Sequence, residues 1–232
     1  MNESNLSHLV QDPENPGILF CEYFKEIKSH LEKTAVYYHL KIPMLAGTDS
    51  AALAINKDIW ESYNKLLTYA SQRAKENLEF CEQEQEEEIP PETLYKYTYD
   101  ANYQITYCTE HYICILIEGY EYAGGAHGMP FRYVLIYNRQ TGEPVKGEKL
   151  FSITKESVKE LRKQAFAQVF KEHPENYWDN VLQIVEDSKD FFETGYYLSP
   201  NGVVFYYAPY ELAAYVYGFT EATVPYTVLP LL

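Results

Sequence analysis

The middle of the chain contains the apolar segment YICILI, which runs from Tyr112 to Ile117. A run of six apolar residues between polar flanks predicts a strand that is buried on both faces of a sheet. Alternating apolar residues continue on either side, at Tyr103, Ile105 and Tyr107 before the run and over 133–137 after it. A period of two is typical of half-buried strands. The segment and its neighbours therefore predict a β-sheet in the second part of the chain.

The sequence before this sheet predicts a short helix followed by a strand. A first group of apolar residues recurs at every third or fourth position, which is helical spacing, and a second group recurs at every second position, which is strand spacing. The first group is Phe20, Phe24, Ile27 and Leu31, and the second group is Val36, Tyr38, Leu40 and Ile42.

A long helix is the clearest element of the sequence, because apolar residues follow one of its faces over many turns. Asn56 or Asp58 is expected to cap its start, and Pro90-Pro91 is expected to end it. The acidic run from Glu82 to Glu88 is interpreted as a solvated linker, with a docking patch for a cationic partner as the alternative. The apolar face consists of Ile55, Ile59, Tyr63, Leu66, Ala70, Ala74 and Leu78.

The rest of the chain predicts further helices and strands. Val158, Leu161, Ala165 and Val169 mark a second amphipathic helix, and a shorter helix is expected near 177–186. Turns are expected at 138–142 and 199–202, and strands at 191–198, 203–207 and 222–229.

Together these elements predict an α+β fold in which a mixed or antiparallel β-sheet packs against a long helix and one or two shorter helices. Residues 1–17 are polar and contain two prolines, so they are expected to form a loose leader that packs little. Residues 18–92 are expected to form an N-terminal α/β part, and residues 93–232 a C-terminal α+β part. Because no long linker separates them, the two parts are expected to be fused into one globular unit.

Composition narrows the class of partner. The chain has 232 residues and is 46% apolar, so it can bury a sizeable core. Its formal net charge of −15 argues against nucleic acid as a partner, because phosphate binding requires an excess of Lys and Arg. A basic partner fits better, although excess negative charge also serves solubility alone.

No segment approaches the length of apolar sequence that crosses a bilayer, so no membrane span is expected in this chain. The first residues lack the pattern of a signal peptide. Met1 is then either the native start of a cytoplasmic protein or a start introduced after a signal peptide or membrane anchor was removed.

The cysteines have no spacing that is typical of metal or redox sites, so no metal ligand is expected. No cofactor is expected either, because neither a P-loop nor a dinucleotide-binding fingerprint is present. Cys108 and Cys114 flank a predicted hairpin turn. They are either bridged in an oxidising compartment or unpaired sheet cysteines.

Three segments together resemble the RsiV-like family, which contains the extracytoplasmic domains of lysozyme-sensing anti-sigma factors. The segments keep the family's order and spacing over roughly residues 36–229. This chain departs from the pattern at Ala214, where a second proline is usual, and at Asn138, where an aspartate is common before the turn. The segments are Ile42 to Gly47 with Ile55-Asn56, Tyr120 to Gly128 with the sequence YEYAGGAHG, and Pro209 to Gly218 with Val224 to Tyr226.

The resemblance implies an α+β domain that lies outside the cytoplasmic membrane, acts as a lysozyme receptor in anti-sigma factors and is attached to some peptidoglycan deacetylases. It implies a cell-envelope location, whereas a native start at Met1 would imply the cytoplasm. A sigma-binding segment is not expected here.

The glycine-rich segment allows two interpretations. Adjacent glycines permit a positive φ, so Gly124 and Gly125 either expose a loop to an oxygen-rich ligand or form a tight turn between strands. His127 is a candidate general base or ligand, or it ties the loop to the backbone. Glu118 and Glu121 are a candidate carboxyl pair for a glycosidase, but residues three apart on a strand point to opposite faces.

The sequence therefore predicts a binding module and not an enzyme. The first hypothesis is binding of a lysozyme-type muramidase, a basic protein, by covering its cleft, with tyrosines of an aromatic-rich loop around Tyr206 and Tyr207 supplying affinity. The alternatives are a module that binds cell-wall (peptidoglycan) glycan and, last, a peptidoglycan-acting hydrolase. The candidate binding residues are Gly124, Gly125, His127, Pro209, Tyr210, Tyr215 and Tyr217.

Overall fold

The computed structural model describes residues 5–28, 34–84, 96–188 and 195–232. In this part of the chain the α+β class is confirmed, with a mixed sheet, a second small sheet, one long helix and two shorter helices. The strands are β1 (Val10–Gln11), β2 (Ile18–Lys28), β3 (Thr34–Leu45), β4 (Tyr97–Cys108), β5 (Tyr112–Tyr122), β6 (Met129–Asn138), β7 (Tyr196–Ser199), β8 (Gly202–Tyr207) and β9 (Thr220–Val224), and the helices are α1 (Ser50–Glu84), α2 (Lys155–Glu172) and α3 (Val181–Asp187).

The described chain divides into two compact units. Unit 1 comprises Met1–Gln104 and Ile117–Arg132, and unit 2 comprises Ile105–Leu116 and Tyr133–Leu232. This division differs from the boundary expected near residue 93, because the strands β4, β5 and β6 each contribute residues to both units.

The larger sheet has the strand order β1-β2-β3-β4-β5-β6. β2 and β3 pair antiparallel, whereas β3 and β4 pair parallel, which makes the sheet mixed. The central strand is as predicted: all residues from Tyr112 to Ile117 are buried. The predicted alternation in β3 is also confirmed, because Val36, Tyr38, Leu40 and Ile42 are all buried.

The helix predicted over Phe20 to Leu31 is wrong, because residues 18–28 form β2. The supposed apolar face is not buried: Phe24 and Ile27 are exposed, while Cys21 and Tyr23, two residues apart, are buried. Residues 18–28 form a strand because their backbone pairs with β3. The spacing of residues within β2 contains no information about this partner strand. Leu31 lies outside the described residues.

The long helix α1 begins at Ser50, earlier than predicted. Asp49 caps it, since its carboxylate accepts the N–H groups of Ala51 and Ala52 at 3.0 Å each. The predicted caps have other roles: the amide of Asn56 bonds the N–H and carbonyl of Leu45 at 2.7 and 2.9 Å, and so ties the helix to β3. The predicted stop at Pro90-Pro91 lies outside the described residues, and so do residues 85–88 of the acidic run.

The first residues pack more than their polar composition predicted. β1 pairs with β2, and Asp12 is only 7% exposed. Its carboxylate accepts the hydroxyl of Tyr103 at 2.6 Å and the N–H groups of Glu14 and Asn15. Burial opposes the charged form of Asp12, but these hydrogen bonds outweigh it and lower the pKa of the carboxyl. Asp12 therefore fixes the segment to β4.

Unit 2 contains the sheet β7-β8-β9, and α2 and α3 pack on its core. In α2 the buried face is Val158, Arg162, Phe166 and Phe170, shifted by one position from the predicted face, whose other members are half-buried. Arg162 is buried because its guanidinium donates to the carbonyls of Val185 and Ser188, at 2.7 and 3.3 Å, at the end of α3.

The two hairpin cysteines are free. Only three residues separate β4 from β5, so in register Cys108 lies nearer to Tyr112 than to Cys114. Cys108 is exposed, whereas Cys114 is buried and accepts the N–H of Leu198 at 3.4 Å, within unit 2. Burial raises the pKa of the Cys114 thiol to about 11.

The turn at 138–142 agrees with the sequence, and the last strand is shorter than predicted. Asn138 accepts the N–H groups of Gln140 and Thr141 at 2.9 and 3.1 Å, so it does what an aspartate does at this position. The last strand ends at Val224 instead of residue 229, because Pro225 has no N–H with which to continue the ladder. None of the helices in the described ranges has an apolar stretch long enough to cross a bilayer.

Candidate functional site

The chain after β8 makes a strained turn that displays an aromatic ring. Tyr210 has a φ of +73°, the one positive φ at a residue other than glycine in the described chain. Its N–H donates to the carbonyl of Ala213 at 3.1 Å, and the carboxylate of Glu211 accepts the N–H of Ala208. The turn thus holds Tyr210 in a conformation that costs an ordinary residue about 1–2 kcal/mol, yet its side chain is 50% exposed. Strain without burial points to a role outside folding.

The residues that follow continue this exposed surface. The rings of Tyr210 and Tyr215 contact each other, with centroids 5.7 Å apart. Tyr215–Tyr217 form one turn of 3₁₀ helix, in which Val216 is 81% exposed and Tyr217 is 48% exposed. Apolar side chains with this exposure are typical of interaction surfaces and not of a core.

Trp178 belongs to the same surface, although no pattern in the sequence singles it out. Its indole N–H donates to the carbonyl of Tyr210 at 3.4 Å, and its backbone N–H donates to the carbonyl of Leu212 at 3.0 Å. The side chain remains 42% exposed. We call Trp178, Tyr210, Tyr215, Val216 and Tyr217 the aromatic patch.

Three other residues that the sequence analysis placed in this region are buried or lie in a strand. Pro209 is a predicted binding residue, but it is buried. Tyr206 and Tyr207 were expected in the aromatic loop, but both belong to β8. Tyr207 is buried against Phe166, with ring centroids 5.1 Å apart, because a position on a central strand faces the core.

Acidic side chains outnumber basic ones in the sequence that contains the aromatic patch. Residues 174–232 contain eight acidic side chains and one basic side chain, Lys189. Glu175, Asp179 and Glu211, which lie close in sequence to patch residues, are exposed. The segment of unit 2 that contains the aromatic patch therefore has an excess of acidic side chains.

The glycine-rich segment is the connection from β5 to β6 in unit 1. Gly124 and Gly125 have φ values of +95° and +86°, so both need the freedom that glycine provides. The base of the loop is fixed: Asn77 donates to the carbonyl of Ala123 at 2.9 Å, and the hydroxyl of Tyr120 accepts the N–H of Gly128 at 2.7 Å. Its tip, Gly125 to His127, is exposed.

The ring of His127 lies 3.0 Å from the carbonyl of Gly128, through Nδ1. This contact matches the interpretation in which the histidine ties the loop to the backbone. The loop belongs to unit 1, whereas the aromatic patch belongs to unit 2.

Glu118 and Glu121 have separate partners in unit 1. Glu118 pairs with Arg132 at 2.8 Å. Glu121 accepts the hydroxyls of Tyr97 and Tyr69 at 3.0 and 3.2 Å and lies 3.4 Å from the guanidinium of Arg73. These different partners agree with the prediction that the two carboxylates point to opposite faces.

The tyrosines around Glu121 stay protonated. Burial, reinforced by the negative charge of Glu121, raises the pKa of Tyr97, Tyr99 and Tyr69. Each hydroxyl that reaches the carboxylate therefore acts as a donor, and the cluster connects α1 to β4 and β5. Among the described residues, no group of three or more His, Cys, Asp or Glu side chains is arranged to hold a metal ion.

Two segments of the chain are each similar to a different protein family. Residues 29–130 match a family model described as deacetylase PdaC, and residues 147–227 match a model described as a protein of unknown function, DUF3298. No curated protein sequence matches the chain significantly.

Two solved structures have a similar fold. A DUF3298 family member from Bacteroides fragilis superposes with a TM-score of 0.65 and 17% identity, covering 91% of this chain and 92% of that one. A DUF3298 family protein from Pseudomonas aeruginosa superposes with a TM-score of 0.59 and 17% identity, covering 90% and 89%. The chain thus joins a PdaC-like segment to a DUF3298-like segment on the fold of solved DUF3298 proteins, which agrees at a coarse level with the RsiV-like resemblance.

Proposed function

We propose that this protein is a binding module that binds a basic protein of the lysozyme class through the aromatic patch of unit 2. The observation that carries the proposal is Tyr210, a strained residue whose ring is left exposed. A backbone conformation that costs stability without burying its side chain is more readily explained by recognition than by packing.

The composition of the patch supports recognition of a protein. Tyr and Trp are enriched at the energetic centres of interfaces, because their large rings lose little conformational entropy on binding. The rings of Tyr210 and Tyr215 already contact each other, and Trp178 is already hydrogen-bonded to the turn. A partner would therefore meet a surface that is largely ordered in advance.

The charge distribution supports a basic partner. With eight acidic side chains and one basic side chain, residues 174–232 would attract a cationic protein and accelerate its association. The RsiV-like resemblance names lysozyme as such a partner, and lysozyme binding would place the chain in the cell envelope. In unit 1, the half-buried Gly124 and the exposed Gly125 and His127 of the glycine loop are proposed as a separate binding segment.

Binding of a cell-wall glycan is the second candidate. Its support is the set of exposed rings, since a sugar can stack on an aromatic face. The family model that matches residues 29–130 is described as a deacetylase, and the RsiV-like resemblance implies that such domains are attached to some peptidoglycan deacetylases. A hydrolase has less support, because Glu118 and Glu121 are each bound to their own partners.

The test is titration calorimetry with hen egg-white lysozyme at low and high salt, together with an assay of cell-wall lysis. We expect a dissociation constant in the micromolar range or below that weakens as salt rises, because screening reduces charge attraction. Lysis should be inhibited in proportion to occupancy.

The matched variants are Tyr217→Ser in the patch and Leu53→Ala on the exposed face of α1 in unit 1. The first should weaken lysozyme binding and the second should leave it unchanged. Absence of binding at high micromolar concentration would reject the proposal. Titration with a chitin oligosaccharide would then test the glycan candidate.

A further inference from the structure

We infer that Trp178 and the turn at Tyr210 form the seat for an arginine side chain of the partner. The inference rests on the proposed function, and it names the chemical group that this part of the patch recognises.

Hydrogen bonds hold both the backbone and the indole ring of Trp178. The backbone N–H is bonded to Leu212 at 3.0 Å, and the ring N–H is bonded to the carbonyl of Tyr210 at 3.4 Å. An isolated bridge between Tyr177 and Ala213 holds the same two segments together. Because the ring N–H is engaged inside the protein, the exposed part of the side chain offers mainly carbon surface to a partner.

Carboxylates are close to Trp178 in the sequence and in the turn that it contacts. Asp179 follows it directly in the chain and is exposed, and so are Glu175 and Glu211. The described residues from 174 onward, 174–188 and 195–232, contain no Lys, Arg or His. An exposed indole in an acidic setting attracts a cation, because the ring face carries negative charge density and the carboxylates add to it.

Arginine fits this setting better than lysine. A guanidinium is planar and weakly hydrated, so it can stack on an aromatic face while its edge donates to a carboxylate. An ammonium ion is compact and strongly hydrated, and it would lose more solvation energy at the ring. The contact would also explain why the ring at this position is a tryptophan, the aromatic residue that binds cations best.

The experiment replaces the indole with fluorinated forms. Fluorine removes charge density from the ring face and hardly changes its size, so it weakens a cation contact and leaves an apolar contact almost intact. The chain has two tryptophans. The series is therefore made in a Trp60→Phe background, where Trp178 is the single site of incorporation.

We expect the dissociation constant for hen egg-white lysozyme to rise stepwise with the number of fluorines, by roughly three- to tenfold over the series. Trp178→Leu, which keeps apolar area, should weaken binding more than Trp178→Phe. Converting the arginine side chains of lysozyme to uncharged adducts should abolish the dependence on fluorination, whereas acetylation of its lysines should preserve it.

Two failures are distinguishable. If lysozyme binds but its dissociation constant is the same for every fluorinated form, the arginine seat is wrong and the proposed function stands. If the unmodified chain does not bind lysozyme, the proposed function fails and the seat fails with it.

Discussion

Replacing Tyr210 by glycine should separate folding from function. The φ of +73° costs a tyrosine about 1–2 kcal/mol that a glycine does not incur. Glycine in turn loses about 0.5–1 kcal/mol through the larger entropy of its unfolded state. The ring is half exposed, so its removal forfeits mainly the contact with Tyr215, an aromatic pair of about 0.5–1.5 kcal/mol.

These contributions nearly cancel, so the free energy of unfolding of Tyr210→Gly should lie within about 1 kcal/mol of the wild type. A buried aromatic residue behaves differently: Phe205→Ala, in the core of unit 2, should lose about 3–5 kcal/mol. Binding of lysozyme should weaken by about 2 kcal/mol or more in Tyr210→Gly, which is a factor of about 30 in the dissociation constant.

The assays are urea unfolding followed by far-UV circular dichroism and calorimetric titration with lysozyme. A loss of stability above about 2 kcal/mol in Tyr210→Gly would show that the turn depends on the tyrosine ring for folding. A stable variant that binds lysozyme as tightly as the wild type would refute the functional role of the patch. Leu53→Ala provides the control for an exposed apolar residue elsewhere.

Three further predictions concern stability. Ala214 already has a φ of −64° and follows an extended residue, so Ala214→Pro, which supplies the proline usual in RsiV-like proteins, should raise the free energy of unfolding by about 0.4–1 kcal/mol. Folding lowers the pKa of Asp12, so its carboxylate contributes to the free energy of unfolding above the unfolded pKa, and this contribution is lost as pH falls through the folded pKa. The urea midpoints of wild type and Asp12→Asn should therefore differ by a constant amount near neutral pH, and the difference should shrink in acid below about pH 4. Arg162→Ala should cost about 3 kcal/mol or more in the same assay, because the carbonyls of Val185 and Ser188 lose their donors; a neutral effect would mean that water replaces the guanidinium.

The elements with long periodic patterns were predictable from sequence. The central strand at 112–117 and most of the buried face of α1 follow from residues that are neighbours within one element, so their spacing carries the information. The predicted Leu66 is half-buried, and its neighbour Leu67 is buried instead. The start of α1 was missed because Asp49, which caps it, stands before an alanine-rich turn whose large apolar residue, Leu53, is exposed.

β2 shows where local spacing misleads. Phe20, Phe24 and Ile27 are spaced as on a helix, but Phe24 and Ile27 are exposed, and the residues that determine the strand are those of β3 across the sheet. Pairing between distant segments is a tertiary effect that single-element patterns do not contain.

The candidate site was predictable in part. The tyrosines after β8 could be selected because a run of aromatic residues around a proline stands out in sequence. Trp178 could not be selected, because its role depends on hydrogen bonds to Tyr210 and Leu212, more than thirty residues away in the chain. The strain at Tyr210 was equally hidden, since nothing in a tyrosine predicts a positive φ.

The most direct test of the proposed function is amide hydrogen exchange of this chain with and without hen egg-white lysozyme. A binding surface at the aromatic patch predicts slower exchange over residues 208–218 and around Trp178 when lysozyme is present, with little change in the middle of α1. Protection that is absent from these residues at saturating lysozyme would contradict the account.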